Sequence, residues 1–365
     1  MLVRRIRVRG WRNLEEEEVA LGDRVTVLFG RNGQGKSNLV EAIYHAIAFR
    51  SFRTSSTADL IMWGKEAASL EAEITLHGLG RTLRVELGVG KKRSTLDGKM
   101  VRRDADALEG AAVVLFGPDD LRLLKAPAAE RRRALDRTVF AVHRTYFREA
   151  LAFERALKAR NGLLRRGEFS AALLESYDET LARTGARIVA RRRTLVGALA
   201  PEFATAFDET HGMAMGAVRY RSAAGIEAAG SEGEVEEAIR RGLWEEREVD
   251  VRRGFTGFGP QTDDVEVTLG GRLAKEHGSQ GQLRSLVLAL KFAELRLVEE
   301  SNCETPVLLL DDVASELDLE HRGRLFQSIA TTACQTVLTV TERELLPGLP
   351  GRVDFEVAAG RIGRA

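Results

Sequence analysis

Gly30-Arg31-Asn32-Gly33-Gln34-Gly35-Lys36-Ser37 decides how the rest of this chain is read. The stretch fits G-x-x-x-x-G-K-[ST]. A short β-type run, Val25 to Phe29, precedes it, and a helical pattern from Lys36 to about Ala48 follows. Glycines at this spacing let successive N–H groups curl around an anion, and the start of the helix adds its dipole. In such a loop Lys36 is expected to reach the β- and γ-phosphates of a nucleotide, and the Ser37 hydroxyl to ligate Mg²⁺. Gly30, Arg31, Asn32, Gly33, Gln34, Gly35 and the following Asn38 are expected to line the same nucleotide.

A second stretch completes that chemistry. Val307-Leu308-Leu309-Leu310-Asp311-Asp312 is an apolar run ending in two carboxylates. A parallel strand buried on both faces reads as continuously apolar, and its carboxyl end lies where phosphate loops gather. Asp311 is therefore expected to hold Mg²⁺ and Asp312 to polarise an attacking water. Gly278-Ser279-Gln280-Gly281-Gln282 precedes the acidic strand and opens a long helix. Alone it would be ordinary helix-capping chemistry. Its order and distance from Asp311 match the signature segment of ABC-type ATPases, and Ser315-Glu316-Leu317-Asp318 resembles their D-loop. That likeness implies that Ser279, Gly281 and Gln282 of one subunit cover the nucleotide held by another.

The 365 residues, 44% hydrophobic and 30% charged, describe an ordinary globular protein of two or three domains. Apolar runs fall far short of the ~20 residues that span a bilayer. Two cysteines, Cys303 and Cys334, are too few for a disulfide framework. With no apolar leader at the first residues, a cytoplasmic protein is expected and a membrane partner is not. Strand-like runs at Val3–Val8, Leu70–Leu76, Thr82–Leu87 and Val113–Phe116 make the first third β-rich. Beyond Pro127, Leu135, Val139, Val142, Tyr146, Ala150, Phe153 and Leu157 follow one face of a long helix. A second helical run after Gly162 and Gly167 is expected to end near Ala200, before Pro201, giving a helical hairpin. Helices at about Gln282–Glu300 and Glu320–Ile329 then alternate with strands Val307–Leu310 and Thr336–Val340. The expected organisation is an ATPase head split between 1–125 and 263–365, with a mainly helical arm at 126–262 inserted.

Net charge is only +1, yet residues 131–193 hold 15 Arg and one Lys against seven Asp+Glu, a local excess of +9. Such clustering suits a polyanion. Arg187, Arg191, Arg192 and Arg193 are the candidate DNA contacts. Aromatic residues form only 6% of the chain and do not interleave with the arginines from Arg187 to Arg193, which points to duplex phosphates over stacked single-stranded bases.

The chain closely resembles the RecF family of bacterial DNA replication and repair ATPases, which are related to SMC proteins. The likeness runs from Gly10-Trp11-Arg12-Asn13-Leu14 to Val337–Thr341. It includes Gly117-Pro118-Asp119-Asp120-Leu121, Glu130-Arg131-Arg132-Arg133-Ala134-Leu135-Asp136 and Ser279-Gln280-Gly281-Gln282-Leu283-Arg284-Ser285-Leu286. It implies an ABC/SMC-type P-loop ATPase head with an inserted helical arm, in which Arg12 and Asn13 help hold ATP and Asp119 or Asp120 lies near the Q-loop. It further implies an ATP-dependent homodimer on duplex or gapped DNA, a slow DNA-stimulated ATPase used as a switch, and work with RecR, RecO and RecA in recombinational repair. At three places the chain departs from the pattern of the wider class or of the family. Asp312 stands where ABC-type ATPases carry Glu, Thr341-Glu342 stands where a switch His is expected, and Gln261-Thr262 replaces an expected His-Arg. An ABC-type ATPase subunit of another complex is the alternative. A transport subunit would need the switch His, and a GTPase would need an Asn-Lys-x-Asp motif that the chain lacks.

Overall fold

The computed structural model of the protein describes residues 1–88, 90–102, 107–167, 170–211, 216–302, 304–346 and 348–365. Cys303 lies outside them; Cys334 is buried ahead of its strand, and burial pushes its thiol up to about 11. Internal contacts divide the chain into two compact units, Met1–Leu121 with Glu294–Ala365, and Arg122–Ala293. The head is thus discontinuous and the lobe is an insertion. The second boundary falls later than residue 262 for a physical reason. Asp264–Leu269 pairs along its whole length with Gly216–Arg221, which ties the residues after 262 to the lobe.

The first unit holds two six-stranded sheets. One is antiparallel and runs β2-β1-β4-β5-β6-β7, from β1 (Leu2–Trp11), β2 (Leu14–Ala20), β4 (Ala67–Leu76), β5 (Leu79–Gly88), β6 (Lys91–Leu96) and β7 (Lys99–Met100). The other runs β15-β14-β3-β13-β12-β8. Its members are β3 (Val25–Phe29), β8 (Val113–Phe116), β12 (Val307–Leu310), β13 (Gln335–Val340), β14 (Arg352–Ala358) and β15 (Arg361–Arg364). All neighbours in it are parallel except the β14–β15 edge pair. Helix α1 (Lys36–Ala48) touches β1 and β4 of one sheet and β8 and β13 of the other, and 11 of its 13 residues are buried. A helix with sheets on two sides must be apolar nearly all round, which is how Leu39 to Ala48 reads.

Strand β2 is not among the strand-like runs of the sequence, since Leu14-Glu15-Glu16-Glu17-Glu18 lacks an apolar alternation. It is held by cross-strand pairs: Arg5 to Glu18 and Arg7 and Arg9 to Glu16, all exposed. Such pairs offset the poor strand preference of Glu.

The second unit contains α2 (Ala128–Val142), α3 (Tyr146–Arg166), α4 (Ala171–His211), α5 (Glu232–Glu245) and α6 (Arg247–Arg253). It also holds a three-stranded sheet of β9 (Gly216–Arg221), β10 (Asp264–Leu269) and β11 (Arg272–Leu273), in the order β11-β10-β9. The chain leaves it through α7 (Gln280–Ser301), and α8 (Leu319–Thr331) belongs to the head. The single long helix expected over Leu135–Leu157 is broken: His143 adopts an extended conformation and a new helix starts at Tyr146. In a continuous helix Tyr146 and Asp136 would stand about 15 Å apart along the axis. The break brings the Tyr146 hydroxyl onto the Asp136 carboxylate instead. The second run does not stop before Pro201 either; α4 passes through it to His211. Pro201 is exposed, so the carbonyl it leaves without a donor can meet water. Beyond it, Phe203 and Phe207 are buried against Gly216 of β9, and this packing sustains the helix.

Candidate nucleotide-binding site

The phosphate loop follows β3 and ends at Gly35, the left-handed N-cap of α1. Two glycines show why the spacing is needed. A Cβ at Gly30, where φ is 141°, would lie 2.3 Å from the carbonyl oxygen of Val357, so β14 closes the loop from behind. A Cβ at Gly33, where φ is 79°, would meet nothing within 4 Å, so there it is the left-handed backbone and not a lack of room that calls for glycine. Lys36 is only 5% exposed and folds over this cradle, donating from Nζ to the carbonyls of Gly30 and, at 3.0 Å, Arg31. Burial lowers its pKa, while Asp312 and Asp311 act in the opposite sense.

Three adjacent strands bring the acidic groups to the same edge. β13 lies between β3 and β12, so Thr339 stands between the strand that feeds the loop and the strand that ends at Asp311. Ser37 Oγ donates to Asp311 Oδ1 at 2.7 Å, and Thr339 Oγ1 donates to the same oxygen at 3.1 Å. Burial raises the Asp311 carboxyl, and those two hydrogen bonds oppose the shift. The Thr339 hydroxyl also accepts the Asp312 N–H at 2.7 Å. Asp312 has φ 53° and caps the single turn Val313–Glu316, and its Oδ1 accepts from Ser315 Oγ at 2.7 Å. One hydroxyl therefore fixes both neighbouring aspartates. The hydroxyl and carboxylate oxygens of Ser37 and Asp311 form the hard donor set that Mg²⁺ prefers. A cation there would offset the cost of keeping Asp311 charged while buried.

The remaining expected ligands brace the loop. Gln34 turns away from the cradle: its Oε1 accepts the Ala359 N–H at 2.5 Å and its carbonyl accepts the Gly360 N–H at 2.9 Å. Asn13 Nδ2 donates to that same carbonyl at 3.2 Å, and Asn38 Nδ2 donates to Asn13 Oδ1 at 2.7 Å. Arg12 makes a two-pronged pair with the fully buried Glu41, both bonds 2.8 Å, and this bond raises its pKa. Arg31, Asn32 and Gly33 are exposed at the mouth. Asp120 is buried and accepts the Gly117 N–H at 2.9 Å, whereas Asp119 is exposed. Sequence reasoning missed Thr339 and also Arg53, which donates to Asn38 Oδ1 at 2.9 Å and lowers the Asp311 pKa. Thr339 was hidden within an apolar strand and Arg53 in a loop of no pattern.

In the second unit, Ser279 caps α7 reciprocally with Gln282: Ser279 Oγ accepts the Gln282 N–H at 3.3 Å, and Gln282 Oε1 accepts the Ser279 N–H at 2.9 Å. Ser279 and Gly281 are exposed and Gln282 partly so. The candidate DNA contacts need correction. Arg192 is 5% exposed and spent on Asp136, at 2.8 and 2.9 Å, and on the Pro260 carbonyl, at 2.8 Å. Arg193 donates to the carbonyls of Ala229, at 2.7 Å, and Ile226. Both are structural, because a lobe this rich in loops and helix ends has carbonyls and a carboxylate to satisfy. Arg187 and Arg191 stay partly exposed, with looser partners at 3.8 Å (Glu232) and 3.6 Å (Glu149).

A P-loop ATPase head of the ABC/SMC type is the class that this sheet order, loop and acidic edge define. The RecF/RecN/SMC N terminal domain model matches residues 2–348. DNA replication and repair protein RecF of Myxococcus xanthus is 41% identical over 347 residues, covering 94% of this chain and 91% of that protein. RecF of Anaeromyxobacter dehalogenans is 41% identical over 364 residues, covering 98% and 97%. The solved structure of the recombination mediator protein RecF-ATP in the RecFOR pathway superposes with a TM-score of 0.89 at 28% identity, covering 100% of this chain and 97% of that one. An Smc head domain from Pyrococcus furiosus shares the fold, with a TM-score of 0.56 at 15% identity. The chain belongs to the RecF family, within the wider RecF/RecN/SMC family of ATPases.

Proposed function

We propose that this protein is an ATP-dependent DNA clamp of the RecF type, working in the cytoplasm. Two copies enclose two ATP molecules and grip duplex DNA at gaps or single-/double-strand junctions, and hydrolysis releases it. In recombinational repair it would act with RecR and RecO to help load RecA. The observation that carries this reading is the convergence of Ser37, Asp311 and Lys36 on one open cradle, with Thr339 holding Asp312 beside them.

Chemically, Lys36 neutralises the β- and γ-phosphates, and the N–H groups at the start of α1 hold their oxygens. Ser37 and Asp311 would hold Mg²⁺, which when bound withdraws charge from the phosphates. Asp312 accepts the proton of the attacking water at a carboxylate oxygen. Aspartate in this place is one methylene shorter than glutamate, and Thr341-Glu342 supplies no switch imidazole. Both features favour slow turnover, which suits a switch that DNA would stimulate. Ser279 serves the partner's nucleotide, so assembly and hydrolysis are coupled by symmetry.

Among the described residues no helix is long and apolar enough to cross a membrane. Gel filtration with and without ATP, repeated with duplex DNA, tests the reading. A dimer formed only with ATP and retained on DNA is expected. A chain that stays monomeric with ATP, or a dimer indifferent to DNA, would overturn it.

A further inference from the structure

The lobe carries a positive tip that the nucleotide site does not use. Helix α3 ends in Arg165 and Arg166 before Gly167, and α6 ends in Arg252 and Arg253 before Gly254. The two ends abut: a Cβ on Gly254 would lie 3.3 Å from Arg165 Cγ and 3.9 Å from its Cα. Two residues further, the N–H and hydroxyl of Thr256 both donate to Asn161 Oδ1, at 2.8 and 2.7 Å. Phe255 lies between these two anchors and is 50% exposed, and Val251, one turn back on α6, is 40% exposed.

All four arginines are exposed, and none pairs with a carboxylate among the described residues. Two buried acids of the lobe are already committed: Arg160, fully buried, takes both Asp178 and Asp250 at 2.6 and 2.7 Å. Arg155 and Lys158, earlier on α3, are also exposed. Basic residues in a last helical turn also complement the helix dipole. That effect gives no reason for a half-exposed phenylalanine held in place by its neighbours just beyond the end of α6.

We infer that this tip binds single-stranded nucleic acid: the arginines meet backbone phosphates, and an unpaired base stacks on Phe255. The inference rests on the DNA-clamp reading and adds to it a second contact, for the strand beside the duplex. The sequence could not show it, because about ninety residues separate the two arginine pairs and only the fold brings the two helix ends together, with Phe255 just after one of them. Duplex DNA hides its base faces except at ends and junctions, so the aromatic selects the unpaired segment.

The test uses the full chain with ATP and two fluorescein-labelled probes, an oligothymidylate and a closed circular duplex, read by anisotropy. Phe255→Ala should weaken oligothymidylate binding about 5- to 150-fold, the range of one stacked base, and leave the duplex unchanged. Phe255→Trp should retain binding. Arg165→Glu with Arg252→Glu should flatten the salt dependence, by about 0.7 in the log–log slope per lost phosphate contact. Unchanged oligothymidylate affinity in Phe255→Ala, or an equal loss on both probes, would overturn the inference. If the parent bound the duplex but not the oligothymidylate, the tip alone would be refuted. If it bound neither probe, the clamp reading would fall first.

Discussion

Replacing Arg192 by Met should damage stability and leave DNA affinity intact. The guanidinium is nearly wholly buried, with two bonds to Asp136 and one to the Pro260 carbonyl. Met keeps the bulk of the stem but strips Asp136 of its counter-charge and Pro260 of its donor. Removing one partner of a buried ion pair costs about 3–5 kcal/mol. Asp136 is 28% exposed on its side chain and keeps the Tyr146 hydroxyl, so the loss belongs at the lower end. For a unit of this size, a loss of about 3 kcal/mol lowers Tm by roughly 6–12 °C. Circular dichroism melts of the full chain would measure it. Adding Asp136→Leu should recover much of the loss, because no uncompensated charge then remains. DNA titrations well below the melt should give the parent's affinity and salt slope. A parent-like Tm combined with a log–log slope smaller by about one would show that Arg192 meets a phosphate, and the structural reading would be wrong.

Thr339→Val should keep the strand but leave the Asp312 N–H without its acceptor, a deficit of about 1–3 kcal/mol. ATP affinity should hold while kcat falls about tenfold or more, and Thr339→Ser should restore it; full turnover in the Val variant would remove Thr339 from the account. Asp263 gives a pH signature: burial pushes its carboxyl up to about 6, above the unfolded value of about 4. The folded chain therefore holds a proton that the unfolded chain has released, and this group's contribution to stability is full below about pH 4 and lost as pH rises through about 6. Asp263→Asn should flatten that fall in urea titrations across the window and be the more stable protein at neutral pH; an unchanged pH profile would contradict it.

The parts legible in sequence were those with short-range causes. The phosphate loop announces itself because glycine spacing and a helix start are local requirements, and β12 does so because a strand buried on both faces must be apolar. The break at His143 was invisible, since the apolar face continues through it and its cause is the distant bond from Tyr146 to Asp136. Pro201 misled for the opposite reason: a local breaker was overridden by the burial of Phe203 and Phe207. The arginine run at 191–193 read as a surface because charge is usually solvated, yet Arg192 is committed to Asp136, 56 residues away in sequence. Thr339 acquires its meaning from strand order alone, since only β13 between β3 and β12 puts its hydroxyl between the two aspartates.

The central claim is that each nucleotide is served by the loop of one copy and by Ser279 of the other. Mixing two inactive variants tests it most directly. Lys36→Met lacks a working loop but keeps its Ser279 segment, and Ser279→Arg binds ATP but blocks the partner's site. ATPase activity should be absent from each alone. Each mixed dimer holds one intact composite site, so turnover should return, at about half of the parent's per mixed dimer. Full turnover by Ser279→Arg alone, or no recovery in mixtures shown to contain the mixed dimer, would contradict the account.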